Sequence, residues 1–218
     1  MKTALPVMAG IGSLVLSAAA SAAFTGFAGD SYNVESGGAT YCVLDLYVCF
    51  DEANVLLNVF NANISNDAGA DYHHEDLFGP NWNPNFSLNG AADSFVSIGM
   101  AAPGANSTSA DPNFPNFGGN AIPANAGWFN SNPPNLQGAA SANPNLGDGF
   151  YTFIGRFVIA EVTSPTKLSG VVSVTYNSGL GTPSSQNTGE FSFGWVPAPG
   201  ALALLGLAGL AGSRRRRA

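Results

Sequence analysis

The 218-residue sequence predicts an all-β fold, an antiparallel β-sandwich in a jelly-roll-like arrangement. Three observations predict it. The 27 glycines and 14 prolines make up near one residue in five, which favours closely spaced turns over a helical bundle. Residues 40–50 alternate apolar and mixed side chains with a period of two. No stretch in the middle of the chain keeps a helical period over a dozen residues. With 45% apolar residues the chain can build a packed core.

The elements follow in order. In 40–50, Cys42, Leu44, Leu46, Val48 and Phe50 share one face, and Tyr41, Val43, Asp45, Tyr47 and Cys49 the other. Asp51-Glu52-Ala53-Asn54 reads as a turn, and 55–64 as a second strand antiparallel to the first. A short third strand is expected at 94–100, and a long one, rich in aromatic and β-branched residues, at 150–162. Residues 168–177 set Val172, Val174 and Tyr176 against Val171, Ser173 and Thr175. Residues 190–196 read as the closing strand.

Residues 79–149 have a different composition. Asn83-Pro84-Asn85, Asn132-Pro133-Pro134-Asn135 and Asn143-Pro144-Asn145 recur there, and proline presets φ while asparagine closes turns with its side chain. Trp82, Phe86, Phe114, Phe117, Trp128 and Phe129 are interspersed. The expected arrangement is an Ω-like excursion packed on the sheets. The alternative is a binding face whose aromatics stack on sugars.

Both ends read as addresses. Residues 1–22 have the form of a secretory signal peptide: Lys2 supplies the positive charge, 5–20 are apolar or small, and Ala20-Ser21-Ala22 fits a small-x-small cleavage site after Ala22. At the other end come Val196-Pro197-Ala198-Pro199, an uncharged run to Ser213, and Arg214, Arg215, Arg216 and Arg217. As a helix, the 18 residues of 196–213 reach about 27 Å, enough for a thin hydrocarbon core, with 200–213 as the transmembrane segment. The arginines hold that end in the cytoplasm and leave 23–193 outside.

This order of motif, short apolar helix and arginine cluster over 195–218 resembles the PEP-CTERM sorting tail. Ala198 stands where that family usually has an acidic residue. The resemblance implies processing by an exosortase, a membrane cysteine transpeptidase, during export from a bacterium. It also implies residence in the cell envelope or at the cell surface, transient anchoring in the inner membrane, and association with exopolysaccharide or biofilm. A second, fainter resemblance is to cohesin-like sandwiches. It rests on Gly147-Asp148-Gly149-Phe150, on Ile154 to Ile159 and on Tyr47 to Asp51.

The cysteines, Cys42 and Cys49, are placed on opposite faces of one strand and seven residues, about 23 Å, apart, so no disulfide is expected between them. Asp71, His73, His74, Glu75 and Asp76 are metal-ligand residue types. The segment reads first as a solvated polar loop without a cofactor. Its rivals are Ca²⁺ held by Asp71, Glu75 and Asp76, and a metal-dependent hydrolase built on His73 and His74. No Gly-x-Ser-x-Gly elbow is present.

The charge balance sharpens the choice. The formal net charge is −7, but Lys2 and the four terminal arginines belong to the addresses. Arg156 and Lys167 alone face all 14 acids in 23–193, a net of −12. Such a domain has no electrostatic footprint for nucleic acid. Attachment to an acidic polysaccharide would need Ca²⁺ or Mg²⁺. The leading expectation is a non-enzymatic, exported matrix or envelope protein. A carbohydrate-binding or adhesion module and a metal-dependent hydrolase are the alternatives.

Overall fold

The computed structural model describes residues 23–75, 80–85, 90–101, 104–114, 119–162 and 165–195. Ten strands form two antiparallel sheets. Strands β1 (Phe24–Ser36), β2 (Ala39–Phe50), β8 (Gly147–Ala160) and β4 (Phe95–Val96) line up in the first, with β7 (Ser141–Asn143) also on β8. The second runs β10 (Ser185–Gly194), β9 (Lys167–Asn177), β3 (Val55–Asn66), β6 (Ala126–Asn130), β5 (Thr108–Ala110).

The core fills the space between the sheets. Cys42, Leu44, Leu46, Val48 and Phe50 of β2 are buried there with Ile154, Phe157 and Ile159 of β8. Val59 and Ile64 of β3 and Val172, Val174 and Tyr176 of β9 close it from the other side. Burying one such aliphatic side chain is worth about 2 kcal/mol.

Strand β1 is an edge strand, half-buried along nearly its whole length. It turns into β2 through Gly37 and Gly38, whose φ of +58° and +82° fit a two-residue hairpin loop. Its free side leans on β10. A Cβ at Gly29 would come within 2.8 Å of the Phe193 ring, so glycine permits the approach of the two edges. Phe27 packs on Phe191 with ring centroids 5.5 Å apart.

The register gives the sandwich two poles. Ala23 accepts from the Asp51 amide beside the 51–54 turn, and Phe24 pairs with Phe50. The β9–β10 turn lies at that same pole, because Asn177 pairs with Val55. Trp195, in contrast, donates its amide to Thr166 at the opposite pole, near the β8–β9 connection. The two ends of the sandwich therefore leave from opposite poles.

Two expectations are corrected, and one strand is new. Residues 55–64 do form a strand, but β3 does not pair with β2: the 51–54 turn crosses between sheets, and β1 and β8 occupy both edges of β2. Residues 94–100 keep only two residues in a strand: the Ser97 amide still donates to Ile154 O of β8, but the Gly99 amide goes to Phe153 O, one residue out of register, and the Ile98 amide to the Thr108 hydroxyl at 2.9 Å. The run 24–36, unassigned in the sequence, is β1.

The described residues of the Asn/Pro-rich stretch are packed on the sheets, and asparagines order them. Asn81, Asn83, Asn106, Asn130, Asn135 and Asn143 each accept a hydrogen bond from the amide two residues on. Gln137 ties distant turns together: its Nε2 donates to Ile98 O at 2.7 Å and Asn106 Oδ1 at 2.8 Å, and its Oε1 accepts from Ser107 N at 2.8 Å. Trp82, Phe114 and Trp128 belong to the core.

Candidate functional site

The residues singled out in the two addresses, Ala20, Ala22, Val196, Pro197, Ala198, Pro199 and Arg214 to Arg217, lie outside the described residues, as does the helix expected at 200–213. Asp76, Phe86 and Phe117 do too.

Residues 71–75 run along the β8 edge of the first sheet, with Tyr72 turned into the core and His73 over the outer face. His73 stacks on Tyr41 with ring centroids 4.1 Å apart, and its amide donates to Val158 O at 2.8 Å. The His74 ring sits edge-on to Trp82 at 4.8 Å, with Nδ1 4.0 Å from the buried Asp93 carboxylate. Burial pushes His74 down to about 4, so it is neutral at pH 7, and burial lowers His73 as well. Glu75 accepts from the Ser36 hydroxyl and donates its amide to Asp93 Oδ1 at 2.7 Å. Asp71 is exposed.

The segment is thus not the solvated loop its polarity implied. Each ring is spent on packing, and the carboxylate of Glu75 clamps the β1–β2 hairpin. Among the described residues, no three His, Cys, Asp or Glu side chains gather as a metal site. Ser94, beside Asp93, is fully buried and exchanges hydrogen bonds with the Val158 backbone through its Oγ.

An ion pair lies on the same outer face. The Arg156 guanidinium meets Asp45 through Nε–Oδ1 at 2.7 Å and Nη2–Oδ2 at 2.8 Å. The Tyr32 hydroxyl donates to Asp45 Oδ2 at 3.1 Å, and the guanidinium carbon lies 5.7 Å from the Phe95 ring centroid. Burial first, and then the Asp45 charge, raise Tyr32 above the ordinary tyrosine range. One of the two basic side chains of the domain is thus fully engaged inside it.

The two cysteines are not joined by a disulfide and lie on opposite faces of β2, Cys42 in the core and Cys49 on the outer side. Burial raises both, Cys49 to about 11, so neither is a thiolate at neutral pH.

Two surface features remain. A cavity of about 450 Å³ opens beside Tyr47, Met100, Gln137, Tyr151 and Phe153. Its polar walls already serve the fold: Gln137 holds the turns described above, and the Tyr151 hydroxyl donates to Leu146 O and Asp148 O at 3.0 Å. The second feature is the outer face of the second sheet. One rung crosses it through Ser109, Phe129, Asn58, Thr175 and Gln186; another carries Phe60, Ser173 and Thr188. Phe129 is exposed by 40% and Val171 by 42%.

The sugar-stacking alternative placed its aromatics in the Asn/Pro-rich stretch. Trp82, Phe114 and Trp128 are unavailable for it, being core residues; Phe129 alone of the described set presents a ring outward. The sequence held a signal for this face in the alternation of Ser173 and Thr175 with Val172 and Val174, but not for which strand would bring an aromatic beside them. No protein-family model, curated protein or solved structure matches the chain.

Proposed function

We propose that this chain is an exported, non-catalytic protein of the bacterial cell envelope or extracellular matrix, delivered by its signal peptide and sorted by its PEP-CTERM-like tail. The observation that carries the reading is the pair of address sequences flanking the β domain: Lys2, the uncharged run 5–20 and Ala20-Ser21-Ala22 on one side, and Val196-Pro197-Ala198-Pro199, the uncharged run and Arg214 to Arg217 on the other. Strand β1 starts at Phe24, two residues past the expected cleavage site, so hydrolysis there leaves the first strand whole.

The junction at Ala23 also suits cleavage. Its nitrogen donates to Asp51 Oδ1 at 2.6 Å, and hydrolysis after Ala22 would place an ammonium group on that carboxylate. Within the all-β class we assign the domain to the sandwich folds of jelly-roll or cohesin-like type. The chain passes from one sheet to the other at β2–β3, β3–β4, β4–β5, β6–β7 and β8–β9. The tail helix would anchor the chain in the inner membrane until an exosortase acts on it.

Intact-mass measurement of the exported protein tests both junctions. The expected mass begins at Ala23 and lacks Arg214 to Arg217. A mature form that keeps the four arginines overturns the processing step, and a form that keeps residues 1–22 overturns export by this leader.

A further inference from the structure

We propose that the outer face of the second sheet is a docking surface for a neutral polysaccharide chain. Two observations carry this. The first is the chemistry of the face. Its outward side chains on β3, β9 and β10 are hydroxyls, amides, Phe60 and Val171, and the charges among them are Glu190 and Lys167. In a domain with 14 acids, charge has been placed elsewhere.

Three occupants can be weighed against this surface. An ionic polymer finds no array of opposite charges. A second copy of the sheet needs a continuous apolar contact layer, and Phe60, Phe129 and Val171, set among hydroxyls and amides, do not supply one. A neutral sugar polymer presents C–H faces to an aromatic ring, and hydroxyls that both donate and accept.

The second observation is a pair of unused oxygens. Asn58 Oδ1 and Thr175 Oγ1 are register partners on the rung that carries Phe129, and neither has a hydrogen-bond partner among the described residues. Thr175 is only 8% exposed. Buried polar atoms without partners are uncommon in folded proteins. Both oxygens are closed off from solvent as the side chains stand; turned outward on binding, the asparagine oxygen can accept from a sugar hydroxyl and the threonine hydroxyl donate to one, with the sugar ring against Phe129.

The inference rests on the exported-matrix reading only for the ligand's presence in that compartment, and its test is independent of processing. The full chain is run by affinity electrophoresis through gels containing hydroxyethylcellulose, dextran, mannan or alginate, each once with Ca²⁺ and once with EDTA. The expected result is retardation by at least one neutral polymer. Phe129→Ala and Val171→Glu should each weaken it about tenfold, with unchanged circular dichroism and melting. Met100→Ala, beside the 450 Å³ cavity, should leave it intact.

Any of four results overturns the proposal: no retardation by a neutral polymer; retardation unaffected by both variants on the face; binding to alginate alone that EDTA removes; or a dimer in light scattering that Val171→Glu dissociates. A chain whose tail is cut but which no neutral polymer retards removes this inference and leaves the sorting reading intact. A retarded chain with its tail uncut does the reverse.

Discussion

In 24–66 and 147–194 the backbone amides bond to one another across long ladders, and the side chains are left to sort into a core face and an outer face. Between 80 and 146 the strands are two to five residues long, and asparagine and glutamine side chains take over what the ladders do elsewhere. The contrast teaches that low apolar periodicity and high turn content need not mean a loose excursion. An amide side chain can both close its own turn and bond to a turn nearly thirty residues away, as Asn135 does: its Oδ1 accepts from the Gln137 amide and its Nδ2 donates to Ser107 Oγ. Such a network holds its shape only if its members are satisfied together.

The largest test of that contrast is whether the amide-held region is part of the core. Trp128→Ala is expected to destabilise by about 4 kcal/mol, as much as Phe157→Ala in a long ladder strand, measured by urea unfolding. A loss below 1 kcal/mol for Trp128 alone would separate the two regions energetically. Next is the ion pair on the ladder side. Asp45→Ala leaves the Arg156 guanidinium buried without its carboxylate, and about 3 kcal/mol should be lost. Asp45→Ala combined with Arg156→Met should recover much of it.

A third test uses pH. His74 titrates near 4 when folded against an ordinary 6.5, so the unfolded chain binds the extra proton between those values. Its contribution is complete above pH 6.5 and is lost as pH falls toward 4. Between pH 7 and 5 the loss is about 2 kcal/mol, and His74→Gln should flatten that part of the stability profile. Smaller still, Asn106→Ala removes the turn bond to Thr108 and a partner of Gln137, at about 1.5 kcal/mol. An unchanged urea midpoint would mean the amide network adds nothing to packing. The smallest effect is chemical. Cys42 and Cys49 should resist a thiol reagent in the folded protein at pH 8 and both react on denaturation. Fast labelling of folded Cys49 would contradict its burial.

How far the sequence could be read follows the same division. The alternation in β2 and β9 identified strands and their inner faces, because one side of each is covered by the core. Strand β1 escaped notice because an edge strand half-buried at nearly every position shows no alternation. The pairing of β3 could not be read, since period two marks a strand without saying which sheet receives it. The polar composition of 80–146 announced turns, yet the bonds between them join residues far apart in sequence. Adjacent His73 and His74 showed ligand chemistry but not the rings of Tyr41 and Trp82 that occupy them. The face with Phe129 needed the topology, because β6 reaches β3 only through a connection that crosses from the other sheet.

The placement of Ala23 and Trp195 at opposite poles of the sandwich has a mechanical consequence. Strands β1 and β10 both run from the Ala23 pole to the Trp195 pole, each bonded along its length to one neighbour. Tension applied between the ends drags β1 along β2 and β10 along β9, parallel to the strands. The bonds of each ladder are loaded together and resist as a group, whereas a peeling force would open them one at a time. A domain tethered at its C-terminal end and gripped at its far pole would meet a load in its stiffest direction.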